Sequence, residues 1–94
     1  MAVAEIAVVP VGAGVDTARQ VKAAIDAIGR KGLTCRPTAM GTNVEGDLDQ
    51  IFDAAREAYR ACLAAGAPRA MLELRVDMRT DKEQSLQQME QAIH

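Results

Sequence analysis

Aromatic residues are nearly missing from this 94-residue chain: there is no tryptophan, and Phe52 and Tyr59 stand alone. No wide aromatic platform for stacking is available, so the core has to be built from Ala, Val, Ile, Leu and Met. Histidine is as scarce, His94 being the only one. With no orienting partner or second metal ligand beside it, neither a Ser-His-Asp set nor a histidine metal site can be assembled, and no pair of acid/base carboxylates falls in a convincing frame. The chain therefore reads as a non-enzyme with no catalytic residues, no metal and no cofactor of its own. Cys35 and Cys62 lie on a predicted strand and a predicted helix with no second pair nearby, which argues against a disulfide framework or a zinc site. Both read as reduced, partly buried thiols that pack as small hydrophobes. Basic charge is not in excess either. The formal net charge of -2 is the opposite of the clustered Lys/Arg surface that phosphate neutralisation needs, and it argues against nucleic acid as a partner. Long apolar runs are also missing. Met1 to Val11 is broken by Glu5 and Pro10, and no later run reaches membrane-spanning length, so the expected location is cytoplasmic with no membrane partner.

What is present is one domain, residues 1–94, with a clear alternation of elements. Val3 to Val11 is rich in β-branched residues, as a central strand would be, with Pro10 near its end. After Gly12-Ala13-Gly14, Asp16 is a candidate N-cap for a helix carrying Ala18, Val21, Ile25 and Ile28 at helical spacing. The two glycines are only a weak match to a phosphate loop, because Thr17 stands where the dinucleotide fingerprint has its third glycine. Leu33 to Met40 is a second strand whose Pro37 favours an edge position. Gly41 suits a tight turn into a short third strand, Thr42 to Glu45, and Gly46 suits the exit from it. Leu48, Ile51, Phe52, Ala55, Tyr59, Cys62 and Leu63 then form the clearest helical stripe in the chain. Arg69 to Arg79 alternates strictly, Ala70, Leu72, Leu74 and Val76 against Glu73, Arg75, Asp77 and Arg79. Thr80 and Glu83 have the spacing of a capping box that opens a last helix, whose apolar stripe of Leu86, Met89 and Ile93 is thin enough to predict docking on a neighbour or a sheet edge.

The order is βαββαβ with an extra C-terminal helix. Two right-handed crossovers joined by a central hairpin predict an α+β, ferredoxin-like sandwich: a four-stranded antiparallel sheet with both main helices on one face. The other face would be left open, with Val9 and Met71 giving it apolar content among its charges. Pairing of copies or a ligand would cover it.

Two groups of residues are candidate ligand contacts. Thr42, Asn43 and Glu45 follow the central turn, although Thr42 and Asn43 equally suit the turn backbone and Glu45 a solvated place near a helix start. Asp77 and Arg79, two apart on a predicted strand, would point the same way, either as an ion pair or as ligand groups. The strings Ile6-Ala7-Val8-Val9-Pro10-Val11-Gly12, Pro37-Thr38-Ala39-Met40-Gly41-Thr42 with Val44-Glu45-Gly46, and Val76-Asp77-Met78-Arg79 resemble those of the small thiamine-binding proteins with a ferredoxin-like fold, the group often called YkoF-like. The likeness spans nearly the whole chain. It departs where Ala13 replaces a common hydroxyl residue, and where Ala18-Arg19-Gln20-Val21 opens the first helix in place of a Ser-x-Tyr-Val-like string. The resemblance implies binding of thiamine or its pyrimidine moiety without catalysis, and assembly into homo-dimers or homo-tetramers through sheet faces or edges. On that reading Met40 forms an apolar wall, and Thr42, Asn43, Glu45, Asp77 and Arg79 supply the polar contacts. The alternative is a structural or regulatory oligomer whose open sheet face binds another protein.

Overall fold

Ala2–Val11 form strand β1 of the computed structural model, which describes every residue from Met1 to His94. Strand β1 is flanked on both sides, by β3 (Thr42–Gly46) and by β4 (Arg69–Asp77), and β2 (Thr34–Pro37) lies outside β3. The four strands run β2-β3-β1-β4 with every neighbouring pair antiparallel. That is the ferredoxin-like order, and it follows from the two crossovers passing over the same face of the sheet. Pro37 ends an edge strand, where its missing N–H costs no ladder bond. The strand is shorter than the sequence suggests, because Thr38 turns the chain. Its backbone N–H and its Oγ1 both donate to Gly41 O, at 2.7 and 2.8 Å.

Helices α1 (Ala18–Gly29) and α2 (Leu48–Ala64) cover one face. The core between them and the sheet holds 12 buried residues, of which seven are alanine. Ile6, Ile28, Ile51 and Val44 supply most of its bulk. Small residues let the helices lie close to the strands. Thr17, not Asp16, is the N-cap residue of α1; Asp16 Oδ1 instead accepts from Ala18 N at 3.1 Å. That bond occupies an amide that an anion would need at the Gly12–Gly14 loop. The buried face of α1 is also rotated from the expected stripe, with Gln20 buried and Nε2 donating to Ala65 O at 3.5 Å. On α2 the buried residues are Ile51, Ala54, Ala55, Ala58 and Cys62, whereas Phe52 is 51 % exposed.

The two central glycines are favoured by close packing and not by backbone angle, since neither has a positive φ. A Cβ on Gly41 would lie 3.2 Å from Ile6 O, and one on Gly46 would overlap Leu33 Cδ2. Just past the end of α1, Lys31 Nζ meets Asp53 of α2 at 2.8 Å, and this bond holds the Asp53 carboxyl below its ordinary pKa. A depressed carboxyl pKa stabilises the fold above the unfolded value and loses that contribution as pH falls through the folded one.

The last element, α3 (Leu86–Ala92), begins later than the Thr80 to Glu83 spacing implies, because Ser85 and Gln88 form the capping box. It docks on the opposite face of the sheet from α1 and α2. Leu86 is buried there, its backbone N–H donates to Glu45 Oε1 at 2.7 Å, and Arg36 bridges to Glu90 at 3.4 Å. So few anchors make Glu45 decisive for this helix. Replacing Glu45 with Ala is expected to remove about 1.5 kcal/mol of docking free energy, the scale of a hydrogen bond to a charged group. Amide exchange in residues 86–92 should then accelerate about tenfold while that of β1 and α2 stays slow. Unchanged protection of α3 would show that Leu86 and the Arg36–Glu90 bridge hold it without Glu45.

Candidate functional site

Side chains alternate along β3, so Thr42 and Val44 face the helices while Asn43 and Glu45 face the other way. The sheet thus divides the polar residues of the central stretch between two hollows. The first lies on the helix side, between α1, β1 and the turn joining β2 to β3, and has a volume of about 320 Å³. Its walls are apolar, from Ile6, Val8, Val21, Ile25 and Ile28, with Met40 at the turn. Three threonines, Thr17, Thr38 and Thr42, line it, and no charged residue does. The hollow exists because α1 presents Ala24 and Val21 above Ile6 and Val8, and no aromatic is available to fill the space they leave.

The threonines differ in what they have to spare. Thr38 Oγ1 is spent on Gly41 O, whereas Thr17 makes no side-chain capping bond. Thr42 is only 2 % exposed. Thr17 and Thr42 thus supply hydroxyls, each able to donate and accept, in an otherwise apolar chamber. The size is at the lower end for small-molecule pockets, and the pattern of apolar walls with few polar groups is the usual one.

The second hollow, about 390 Å³, lies on the open face beneath α3. Glu5, Asn43, Arg75 and Asp77 form its floor, and Leu86 and Met89 overhang it. Glu5 and Arg75 are cross-strand neighbours, as are Glu5 and Asn43.

The six candidate residues are therefore not gathered in one place. Met40 and Thr42 belong to the first hollow, and Asn43 and Asp77 to the second. Glu45 carries the N-terminus of α3. Arg79 lies beyond β4, which ends at Asp77, so the two do not share a strand face as their spacing suggests. It pairs with Asp81 instead, through Nε to Oδ1 at 2.8 Å and a second contact from Nη2 to Oδ2. The pairing pulls the Asp81 carboxyl below its usual range and pushes the Arg79 guanidinium up. Thr17 and Thr38 are the lining residues that sequence reasoning passed over. Thr17 carried one signal: it is a hydroxyl residue directly before a helix, where a capping bond is common and is not made. Burial pushes the Cys62 thiol up, and the Cys35 thiol too, against the smaller opposing influence of Arg36. Neither is poised as a thiolate nucleophile.

The fold and the apolar chamber with its hydroxyls define a class: small ferredoxin-like domains with a pocket for a small molecule. Residues 4–94 match the family model described as thiamine-binding protein. The UPF0045 protein MJ1052 of Methanocaldococcus jannaschii is 37% identical over 91 residues, 97% of this chain and 90% of its own length. The UPF0045 protein sll0230 of Synechocystis is 34% identical, over 97% of this chain and 75% of its own length. The crystal structure of MJ1052 superposes with a TM-score of 0.91, covering 98% of this chain and 94% of the other. That of TM0486 from Thermotoga maritima, provisionally placed in thiamine biosynthesis or salvage, gives a TM-score of 0.81 at 23% identity, with 97% of each chain covered, and supports the shared fold. The chain belongs to the thiamine-binding protein family. No helix is long and apolar enough to cross a membrane.

Proposed function

We propose that this protein binds thiamine through its aminopyrimidine moiety in the helix-side chamber, without turning it over. One observation carries the reading: the Thr38 to Thr42 stretch borders an apolar chamber whose polar lining is threonine hydroxyls and backbone, with no charge. An aminopyrimidine has apolar faces and an edge of ring nitrogens and an amino group, which hydroxyls can both donate to and accept from. A thiazolium cation has no carboxylate to meet there, so it belongs at the solvent-facing mouth, where desolvation costs less. Thr17 offers a hydroxyl at the start of α1, one residue before the position where this chain departs from the family string.

Calorimetric titration tests this directly, with thiamine and with the free aminopyrimidine alcohol as probes. Both should saturate at one site per chain with affinities within about tenfold of each other, because the neutral ring carries the recognition. Absence of saturable heat with either probe, from folded protein, would remove the reading. A second reading is favoured by the carboxylates of Glu5 and Asp77 in the hollow beneath α3, which suit the cation. It requires thiamine to bind and the neutral pyrimidine not to, and Asp77→Ala to abolish binding. A purely structural role for the open face, as a docking surface for another protein, requires that neither probe raises the melting temperature.

A further inference from the structure

The floor of the hollow beneath α3 carries charges of both signs that the chain itself does not use. Glu5 of β1 has Asn43 as its cross-strand neighbour on one side and Arg75 on the other. Arg75 and Asp77 are two apart on β4, so they share the face that Glu5 occupies. The charges around them are matched: Arg36 with Glu90, Arg79 with Asp81, and the Met1 ammonium with Glu83. Glu5, Arg75 and Asp77 take part in no ion pair. The bond made at Asp77 is to its backbone carbonyl, from Gln84 Nε2 at 3.2 Å, and leaves the carboxylate free. Glu5 leans toward Gly41, away from Arg75, since a Cβ on that glycine would lie 3.4 Å from Glu5 Cδ.

The roof has the opposite character. Leu86, Met89 and Ile93 recur at i, i+3 and i+7, on one side of the helical turns, and all three line the hollow. Leu86 is buried, but Met89 is 37 % exposed and Ile93 79 %. A charged floor cannot cover that apolar surface, so a molecule that satisfies both sides has a charged head and an apolar tail. The floor defines the head. A plain cation suits the two carboxylates but meets the Arg75 guanidinium, and a plain anion suits Arg75 but meets the carboxylates. A head with an ammonium and a carboxylate together gives every group an opposite charge. The guanidinium fork takes a carboxylate through two parallel bonds, and the three donors of an ammonium can reach more than one carboxylate.

We propose that the hollow beneath α3 is a second binding site, for a free α-amino acid with an aliphatic side chain: Arg75 holds its carboxylate, Asp77 and Glu5 its ammonium, and Met89 and Ile93 its side chain. The volume of about 390 Å³ is of the size that takes such a molecule. The sheet separates this site from the helix-side chamber, and it does not depend on what the chamber binds. Its occupant acts on α3. The helix is held by Leu86, whose amide bonds Glu45, and by the bridge from Arg36 to Glu90, so a molecule gripped between floor and roof stabilises the docked helix.

Calorimetric titration with leucine and methionine tests the site. N-acetylleucine, which lacks the ammonium, and 3-methylbutan-1-amine, which lacks the carboxylate, are the control probes. At least one of the two amino acids should saturate at one site per chain, and both controls should bind at least tenfold more weakly. Arg75→Gln and Asp77→Asn should each weaken the amino acid at least tenfold; both positions are exposed, and circular dichroism confirms the fold of each variant. At ten times the dissociation constant, amide exchange in residues 86–92 should slow about tenfold, because the docked helix completes the site. No saturable heat with either amino acid, an amine that binds as tightly as the amino acid, or variants that keep full affinity would overturn the proposal. Binding that leaves exchange in α3 unchanged would overturn it as well, since the roof would then take no part.

Discussion

Thr42→Val is expected to weaken binding of the aminopyrimidine about tenfold while melting no lower than the parent protein. The side chain is almost wholly buried on β3, between Ile6 of β1 and Pro37 of β2 in the ladder. Valine keeps its branched shape, so the chamber keeps its form and the strand its β propensity. What changes is one hydroxyl. In the free protein that group faces a largely apolar hollow, and its removal costs little. In the complex its loss leaves a ring nitrogen or amino group without a partner, and a penalty of about 1.4 kcal/mol is a factor of ten in affinity. Thr17→Val should act in the same direction, because it too removes a hydroxyl that makes no capping bond. If both hydroxyls touch the ligand independently, the double variant loses about a hundredfold. Calorimetry measures the affinities and a thermal melt the stability. Asp77→Ala serves as the control on the other face: affinity should hold there and fall at Thr42. Full affinity in Thr42→Val together with loss in Asp77→Ala would move the ligand to the hollow beneath α3.

The reason these residues separate so cleanly was available in the chain and easy to overlook. Thr42, Asn43 and Glu45 form a compact polar cluster as a string, but on a strand neighbouring side chains point to opposite faces. Proximity in sequence suggested one site; alternation divides it between a neutral chamber and a charged hollow. The sheet order was legible because it rests on local signals: the β-branched run of β1, Pro37 at an edge, and the alternation of β4. The long stripe of α2 was legible as a helix but not as a buried face. Periodicity reports which residues share a side, and it does not say how much of that side the monomer covers. The docking of α3 was the least legible element, since it depends on Glu45 and Arg36, which lie 41 and 54 positions from the residues they hold. Contacts of that range leave no periodic trace. Arg79 was misplaced for a related reason: the alternating pattern runs past Asp77, whereas the ladder with β1 stops there, opposite Val3.

Ile51 and Phe52 sharpen the difference between stripe and core, and they give the largest stability effect expected. Ile51 is fully buried in a core in which seven of 12 residues are alanine. Few side chains there have bulk to lose, and neighbours as small as Ala54, Ala55 and Ala58 cannot swing in to fill a hole. Ile51→Ala should therefore leave an unrelaxed cavity and cost about 3 kcal/mol, within the range for large-to-small changes at rigid core sites. For a domain of this size, whose total stability is on the order of 5–14 kcal/mol, that corresponds to a fall in melting temperature of about 15 °C. Phe52 is the larger residue, yet half of it meets solvent, so Phe52→Ala should cost about 1 kcal/mol or less. Urea unfolding of both variants measures each cost. If Phe52→Ala proved the more damaging, the bulky half of the α2 stripe would have to face the core and the alanine half the outside.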